Sequence, residues 1–471
     1  MPGLLNPFTA ALLSVAHLAL ATAVTVHVLA HNRNSGSAIA WIGLAWLSPV
    51  FGSLLYLLLG INRVQRRARV YVRAAPDALA VQAQPSTSPD DQLAPLERAA
   101  FQISQRPVAG GNAVTLLHNG DEAYPEMLAA IDVATTSVAL STYIFRTDIA
   151  GNSFIAALMR ARDRGLEIRV LIDGYGGGYL RSNAYRALHR AGIRAARFMH
   201  SAWPWRMPFL NLRTHRKILV IDGRIAFMGG LNIGAENLLK DRPRHPVIDT
   251  HFKIAGPVVA QLCDSFAEQW YSATGEILAG AAWFPTLEAI GDGVARAVTS
   301  GPNQDIEKIE LLTLAAIGCA RASIQIMTPY FLPDDRLITA LALAAMRGIE
   351  VDIVLPEHSN HPTVDWAMHA QIGPLLSAGC RVWTHAPPFD HSKLMAVDAS
   401  WCFVGSSNWD MRSFRLNFEI NLEIYGSAVV REIGATIAAK RTTRLTSADL
   451  ARRPVLIRLR DSGARLMLPY L

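Results

Sequence analysis

Residues 215–222 read His-Arg-Lys-Ile-Leu-Val-Ile-Asp, and residues 391–398 repeat the pattern as His-Ser-Lys-Leu-Met-Ala-Val-Asp. In both copies Lys stands two residues after His, Asp seven, Gly fourteen and Asn seventeen. Because the 471 residues include only 14 His, the probability that this pattern occurs twice by chance is negligible. The matched residues are His215, Lys217, Asp222, Gly229 and Asn232 in one copy and His391, Lys393, Asp398, Gly405 and Asn408 in the other. The chain is therefore interpreted as a duplication in which each copy contributes the same reactive groups.

Each motif is predicted to lie on a β-hairpin. The apolar run after the first His-x-Lys is β-prone, Asp222-Gly223 is a turn signal, and residues 225–228 form the return strand. On an extended chain His215 and Lys217 point to the same side. A lysine ammonium is a compact charge suited to a phosphate oxygen, and the Asn232 amide can donate to one. The sequence therefore predicts a phosphate site at the hairpin.

Two acidic residues follow the motifs at similar distances. Asp249 comes 34 residues after His215, and Glu419 comes 28 residues after His391. An acid beside a histidine fixes its tautomer and raises its basicity. Asp249 and Glu419 are therefore predicted to orient His215 and His391, each within its own copy. By contrast, the motif aspartates at the strand ends are expected to be mainly structural salt-bridge partners.

The repeat extends upstream of the motifs. Strand-like and helix-like segments alternate through residues 101–471, which predicts an α/β fold. We define the first half as residues 101–295 and the second half as residues 296–445. The parallel segments are 137–145 with 323–331 and 164–172 with 347–355. Tyr143 and Tyr330 lie near the ends of the first pair of segments. Either of two roles would explain them, namely lining of the site or packing at the strand end.

The N-terminal residues 1–62 are predicted to form a transmembrane hairpin. Residues 8–31 are nearly uncharged and residues 36–61 carry no charge, and each stretch exceeds the length that a spanning helix needs. Arginines crowd residues 63–73, so the positive-inside rule places the later chain in the cytoplasm. The alternative is a signal peptide followed by a buried helix, but no basic n-region precedes the first stretch.

Two flanking segments complete the predicted organisation. Residues 63–100 begin with that basic juxtamembrane cluster and continue as a linker rich in Ala, Gln, Ser and Pro. Residues 446–471 form a basic tail in which apolar residues alternate with arginines, as in segments that bind a membrane surface.

Composition limits the classes of function. Hydrophobic residues make up 51% and charged residues 18% of the chain, which excludes a disordered protein. The 471 residues are enough to bury a sizeable core, which excludes a small disulfide scaffold. The net charge of +7 favours anionic partners such as phospholipid or nucleic acid. The four cysteines form no Cys-x-x-Cys pair or Cys/His cluster, so a zinc or iron–sulfur site is not expected.

These residues resemble the phospholipase D superfamily, whose hallmark is a duplicated H-x-K-x4-D motif. Within it, residues 211–217 and 412–419, together with the N-terminal hairpin, resemble the bacterial cardiolipin synthases. The resemblance implies two pseudo-twofold-related α/β sandwich domains preceded by the transmembrane hairpin. One departure is Ala386-Pro-Pro-Phe389, where a glycine-rich approach to the second motif is expected.

The resemblance also implies a mechanism. One histidine forms a phosphohistidine and the other acts as acid and base; by family analogy His215 is the nucleophile and His391 the acid/base. Two phosphatidylglycerol molecules would give cardiolipin and glycerol at the cytoplasmic face of the bacterial inner membrane, without metal or cofactor. The implied site residues are His215, Lys217, Asp222, Asn232, Asp249, His391, Lys393, Asp398, Asn408 and Glu419.

Three alternatives share parts of this pattern. A phospholipase D-type hydrolase, or a phosphatidyltransferase with another alcohol acceptor, would carry the same motifs, and only product analysis separates them. A membrane-tethered phosphodiesterase or nuclease would need a basic groove, and salt-sensitive DNA binding would reveal it; no nucleic-acid partner is expected here. A lipid-binding scaffold without catalysis is disfavoured because both motifs are intact.

Overall fold

A computed structural model describes residues 7–31, 35–59, 92–200, 212–302, 305–426 and 428–467. The chain divides into two compact units, Met1–Tyr71 and Val72–Leu471. The expected arginine-rich juxtamembrane segment, most of the linker and Asn211 lie outside the described residues.

The first unit contains apolar helices over Pro7–His31, Ser35–Leu47 and Pro49–Leu59. Residues Ala11–Ala30 form a candidate membrane span of 20 residues, the one such helix in the described part of the chain. The second predicted span is divided at Pro49, which begins a new helix because proline has no N–H to continue the preceding one. The two parts, of 13 and 11 residues, are each shorter than a bilayer requires.

The second unit is built on one mixed sheet of sixteen strands. Gly293–Ser300 runs through the predicted boundary at residues 295 and 296 and pairs with Ala109–His118 on one side and Asn417–Tyr425 on the other. The two halves therefore share a continuous sheet. From one edge to the other the strands are Ala195–Phe198, Glu167–Asp173, Ser137–Thr142, Ile218–Ile221, Ile225–Gly229, Thr250–Ala255, Ala109–His118, Gly293–Ser300, Asn417–Tyr425, Trp401–Gly405, Leu394–Val397, Ser323–Met327, Glu350–Pro356, Arg381–His385 and Thr443–Leu445, with Arg213–Thr214 added beside Asn417–Tyr425.

Helices cover both faces of this sheet because its strands alternate their side chains between the faces. Val138 and Leu140 pack in one hydrophobic cluster, whereas Ala139 belongs to another with helix Val259–Thr274. The result is an α/β sandwich of three layers. The helices are Ala94–Ser104, Asn119–Val133, Ile149–Asp163, Asn183–Arg190, Val259–Thr274, Lys308–Cys319, Asp335–Met346, Pro362–Gln371, Gly373–Ser377, Met411–Arg415, Ala428–Ala439, Ser447–Ala451 and Val455–Arg465, with short 3-10 turns at Ala235–Asn237 and Leu239–Asp241.

Both predicted hairpins are present. Ile218–Ile221 pairs antiparallel with Ile225–Gly229, and Leu394–Val397 pairs with Trp401–Gly405. Just before each hairpin the chain reaches into the opposite half, where Arg213–Thr214 pairs with Asn417–Phe418 and Phe389–Asp390 pairs with Val247–Ile248. These two crossings bring the motif histidines to the seam between the halves.

Candidate active site

A cavity of about 1120 Å³ lies at the seam between the two halves. Its walls carry both motif histidines, both motif asparagines, and Tyr143 and Tyr330. The tyrosine rings pack against the histidine rings, with centroid distances of 5.3 Å from Tyr143 to His215 and 6.2 Å from Tyr330 to His391. Of the two interpretations of these tyrosines, lining of the site is therefore confirmed.

The two motif histidines face each other. Their ring centroids are 6.4 Å apart and the ring planes are inclined by 85°. The backbone N–H of His215 donates to Phe418 O, and that of His391 donates to Ile248 O, so each histidine is anchored to the other half. Since reacting atoms approach to about 3–3.5 Å before in-line transfer, one phosphorus atom fits between the rings.

Each motif histidine contacts an acid from the opposite half. Nδ1 of His215 lies 3.0 Å from Glu419 Oε2, and Nδ1 of His391 lies 2.8 Å from Asp249 Oδ2. The predicted pairing within each copy is therefore wrong, although both acids do contact a motif histidine. The crossing strands cause the exchange, because each histidine sits beside a strand of the other half. With Nδ1 engaged, Nε2 of each ring is left for substrate.

The pKa values of the two acids are shifted in opposite directions from their usual values. Burial would raise the pKa of Glu419, but His215, Lys217 and the Ser406 hydroxyl together hold it below its usual value. Burial raises the pKa of Asp249 to about 7, against the opposing effect of Lys393. Glu419 is thus ionised at neutral pH, whereas Asp249 titrates close to neutrality.

Burial lowers the pKa of both histidines, and so both imidazoles are neutral at pH 7 in the free protein. For His215, Glu419 partly opposes this effect; for His391, the nearby Lys393 and Lys217 add to it. A neutral imidazole with an ionised carboxylate on Nδ1 is the form that acts as a nucleophile or base.

The motif lysines are buried and do not line the cavity. Lys217 Nζ donates to the His215 carbonyl at 2.8 Å, and Lys393 Nζ donates to the His391 carbonyl. Burial lowers the pKa of Lys217 to about 7 and that of Lys393 to about 8. An anionic group bound between the histidines would raise both pKa values again, because an opposite charge favours the ammonium form.

The motif asparagines lie on the cavity wall, as expected. Asn232 Oδ1 accepts a hydrogen bond from the Ile144 N–H at 3.2 Å, which leaves its amide NH2 to donate. The Asn408 backbone N–H donates to Ser413 Oγ at 3.3 Å and its side chain also faces the cavity. Both asparagines therefore line the same cavity.

Among the described residues, neither Asp222 nor Asp398 lines the cavity or forms a salt bridge, so the expectation of salt bridges is wrong. Asp222 accepts hydrogen bonds from the backbone N–H groups of residues 135, 136 and 137, at 2.7 to 3.1 Å. Asp398 accepts from those of residues 321, 322 and 323, each at 2.8 Å. Each aspartate therefore anchors the start of a neighbouring strand to the hairpin turn.

Gly229 and Gly405 allow the backbone of each hairpin to pass close to a neighbouring strand. Each has a positive φ, of 150° and 156° respectively. A Cβ at Gly229 would lie 2.6 Å from Thr250 O, and one at Gly405 would lie 2.4 Å from Ile420 O. Only glycine lets the hairpin pass the strand that carries the orienting acid.

Sequence reasoning missed two residues that hold the site together. Ser406 Oγ donates to Glu419 Oε2 at 2.5 Å. Asp173 is buried at the carboxyl end of the strand Glu167–Asp173, and its carboxylate accepts hydrogen bonds from the backbone N–H groups of Tyr175 and Thr214. The position of Asp173 before a glycine-rich loop was the available signal, since residues at such strand ends often serve a site.

Comparisons with known proteins agree with this geometry. The family model described as "Cardiolipin synthase, PLD-like domain" matches residues 127–270 and 313–440, and the one described as "Phospholipase_D-nuclease N-terminal" matches residues 19–60. Proteins named cardiolipin synthase from Geobacillus kaustophilus and Alkalihalophilus pseudofirmus are 34% and 32% identical, covering 93% and 100% of this chain and 90% and 96% of theirs.

A solved structure supports the fold. The phosphatidylserine synthase of Haemophilus influenzae superposes with a TM-score of 0.63 at 14% identity, covering 80% of this chain and 100% of that one. The α/β sandwich and the paired H-x-K-x4-D motifs define the phospholipase D-like class, and the cardiolipin synthase relatives make the chain a phosphatidyltransferase within it. The chain belongs to the cardiolipin synthase family.

Proposed function

We propose that this protein transfers a phosphatidyl group from one phosphatidylglycerol to another, giving cardiolipin and glycerol. The observation that carries the proposal is the pair of imidazoles, with ring centroids 6.4 Å apart, each oriented by an acid from the opposite half. Two such groups on either side of one phosphorus suit a double displacement, in which a nucleophile and an acid are both required.

In the first step, Nε2 of His215 attacks the phosphorus of the donor lipid and the bond to the glycerol oxygen breaks. The negative charge of the bound phosphodiester raises the pKa of His391, so that its ring is protonated in the complex and Nε2 gives its proton to that leaving oxygen. The assignment of His215 as nucleophile follows the family resemblance, and the ionised Glu419 beside it supports that role. The product of this step is a phosphatidyl group on His215.

In the second step, the terminal hydroxyl of the acceptor phosphatidylglycerol attacks the phosphohistidine. The new P–O bond forms as the P–N bond breaks, and His391 takes the hydroxyl proton. Asn232 and Asn408 on the cavity wall donate to the non-bridging oxygens, and the ammonium groups of Lys217 and Lys393, buried beside the two histidines, stabilise the negative charge electrostatically. Loss of one hydrogen-bond donor typically costs about 10²–10³ in rate. Because these groups supply the positive charge, the reaction needs no metal, and EDTA should leave it unchanged.

The two halves are proposed to be pseudo-twofold relatives. Their strand order supports this, since each half presents three parallel strands, the motif hairpin and two further antiparallel strands in the same order toward the centre of the sheet. The second half adds the antiparallel edge strand Thr443–Leu445. The proposed domains are residues 101–295 and 296–445, flanked by residues 1–62, 63–100 and 446–471.

The first unit is proposed to pass the inner membrane twice, with the catalytic unit on the cytoplasmic side. The candidate span Ala11–Ala30 supports one pass. For the other pass, the helices Ser35–Leu47 and Pro49–Leu59 would act as one broken span, and the basic residues 63–73 favour a cytoplasmic location for the catalytic unit.

The C-terminal helix Val455–Arg465 is proposed to contact the membrane surface. One face packs on helix Pro362–Gln371, where the Arg460 guanidinium lies 4.3 Å over the Trp366 ring and buried Asp461 pairs with arginines. The other face exposes Leu456 by 80% and Leu459 by 63%. Exposed leucines among arginines suit the surface of an anionic bilayer.

The test of the reaction is to supply purified full-length protein with phosphatidylglycerol as the sole lipid in detergent micelles. Formation of cardiolipin with one glycerol released per cardiolipin supports the proposal. Release of phosphatidic acid without cardiolipin would assign a hydrolase instead.

A further inference from the structure

Four residues that line the cavity occupy matched positions of the two motifs but differ in charge. Arg213 and Phe389 each precede a motif histidine by two residues, and Arg412 and Glu236 each follow a motif asparagine by four. All four line the cavity. One side therefore carries two guanidinium groups where the other carries a phenyl ring and a carboxylate.

Arg213 is held in a built position. The side chain is buried, its guanidinium lies 3.9 Å from the centroid of the Tyr175 ring, and Nη1 donates to Leu212 O at 2.8 Å. Asp173 holds in place both Tyr175 and the strand of Arg213. Its carboxylate accepts hydrogen bonds from the backbone N–H groups of Tyr175 at 2.9 Å and Thr214 at 2.8 Å. A guanidinium stacked in this way keeps its remaining donors aimed in one direction.

Two carboxylates also lie near these arginines: Asp173 acts to raise the pKa of Arg213, and Asp410 lines the cavity near Arg412. Among the described residues, no carboxylate forms an ion pair with Arg213 within 4.0 Å. Arg412 lies close enough that its charge, after burial, helps to lower the pKa of Arg213. On the matched side, Glu236 is paired with Arg146 at 2.8 Å, and Arg244 lies on an exposed loop. Two like charges facing one cavity are stabilised by an anion between them.

We propose that Arg213 and Arg412 bind a second phosphodiester anion, the phosphate of the acceptor phosphatidylglycerol. This inference rests on the proposed function. When the acceptor hydroxyl reaches the reacting phosphorus, its own phosphate must lie one glycerol unit away. The glycerol that leaves in the first step carries no charge and needs no such partner. The same two arginines would hold the second phosphate of the finished cardiolipin.

Two reactions of the full-length enzyme in detergent micelles separate this subsite from the chemistry. Exchange of labelled glycerol into phosphatidylglycerol uses the histidines but no second phosphate, whereas cardiolipin synthesis needs both. Arg412→Gln and Arg213→Gln should each reduce cardiolipin synthesis by about tenfold or more, as expected for a lost charge-assisted hydrogen bond. Glycerol exchange should stay within about threefold of the wild type, and Arg412→Lys should retain more cardiolipin synthesis than Arg412→Gln.

Arg244→Gln is the matched control, because it removes an exposed arginine from the cavity rim on the other side; it should not change the ratio of the two reactions. Equal losses of exchange and synthesis in the folded Arg213 and Arg412 variants would overturn the proposal, as would no loss of synthesis. If the wild type itself performs neither reaction, the proposed function fails before the subsite is tested.

Discussion

Glu419 accepts a hydrogen bond from Nδ1 of His215 across the boundary between the two halves, over 3.0 Å. The same exchange joins Asp249 to His391. Neither half contains a complete histidine–acid pair, so these pairs form only when the two halves share one sheet. Duplication in this protein therefore produced one composite site rather than two separate ones.

Removal of either orienting acid should impair turnover more than binding. Glu419→Gln and Asp249→Asn keep the shape of the side chain but lose the charge that holds the imidazole, and kcat should fall by about 10²–10⁴. KM for phosphatidylglycerol should change by less than about threefold. Steady-state kinetics of the purified variants measure both quantities, and a variant with unchanged kcat would refute the orienting role of that acid.

The turn aspartates should affect stability instead. Asp222→Ala removes the acceptor of hydrogen bonds from residues 135–137, and the free energy of unfolding should fall by about 1–3 kcal/mol. Asp398→Ala should do the same in the second half. Thermal unfolding followed alongside activity checks this, since kcat per folded molecule should stay near the wild-type value. A folded Asp222→Ala enzyme with kcat reduced a hundredfold would show that the residue takes part in catalysis.

The pH dependence of kcat/KM should follow the titration of the buried lysines Lys217 and Lys393. The pKa of Lys217 is about 7 and that of Lys393 about 8 in the free protein. Above these values the ammonium charges are lost, so kcat/KM should fall as pH rises from about 7 to 9. Bound phosphodiester raises the lysine pKa values, and the decline of kcat should therefore begin at higher pH. A kcat/KM that stays flat to pH 10 would show that these charges are not needed.

The C-terminal helix should matter only on a bilayer. Leu456→Glu combined with Leu459→Glu places charge on its exposed apolar face, and activity on phosphatidylglycerol vesicles should fall by about threefold to tenfold. Activity in detergent micelles should be retained. Ile290→Glu alters an exposed apolar residue elsewhere and serves as the control. Equal vesicle activity of the helix variant and the control would exclude membrane contact by this face.

The local features of the site were predictable from sequence because they depend on short-range patterns. The hairpin at residues 218–229, the close approach at Gly229 and the position of Asn232 all follow from spacing within one motif. Division of the second apolar stretch was also encoded locally, by Pro49, but hydropathy alone does not register a helix break.

The pairing of the acids could not be predicted from spacing. Asp249 and Glu419 stand at similar distances from their own motif histidines, and only the crossing of residues 213–214 to the strand at residue 417 exchanges them. The salt bridges expected of Asp222 and Asp398 were wrong for a related reason. These aspartates accept hydrogen bonds from backbone N–H groups that lie about 75 to 87 residues away in the sequence. Long-range register decides both outcomes.

The most direct test of the composite site uses His391→Ala with phosphatidyl-p-nitrophenol. This leaving group departs without an acid, but the variant lacks the base for the second step. A burst of one p-nitrophenolate per enzyme is expected, with a phosphatidyl group found by mass spectrometry on the peptide containing His215. Steady release of p-nitrophenolate without a burst, or a phosphatidyl group on any residue other than His215, would contradict the account.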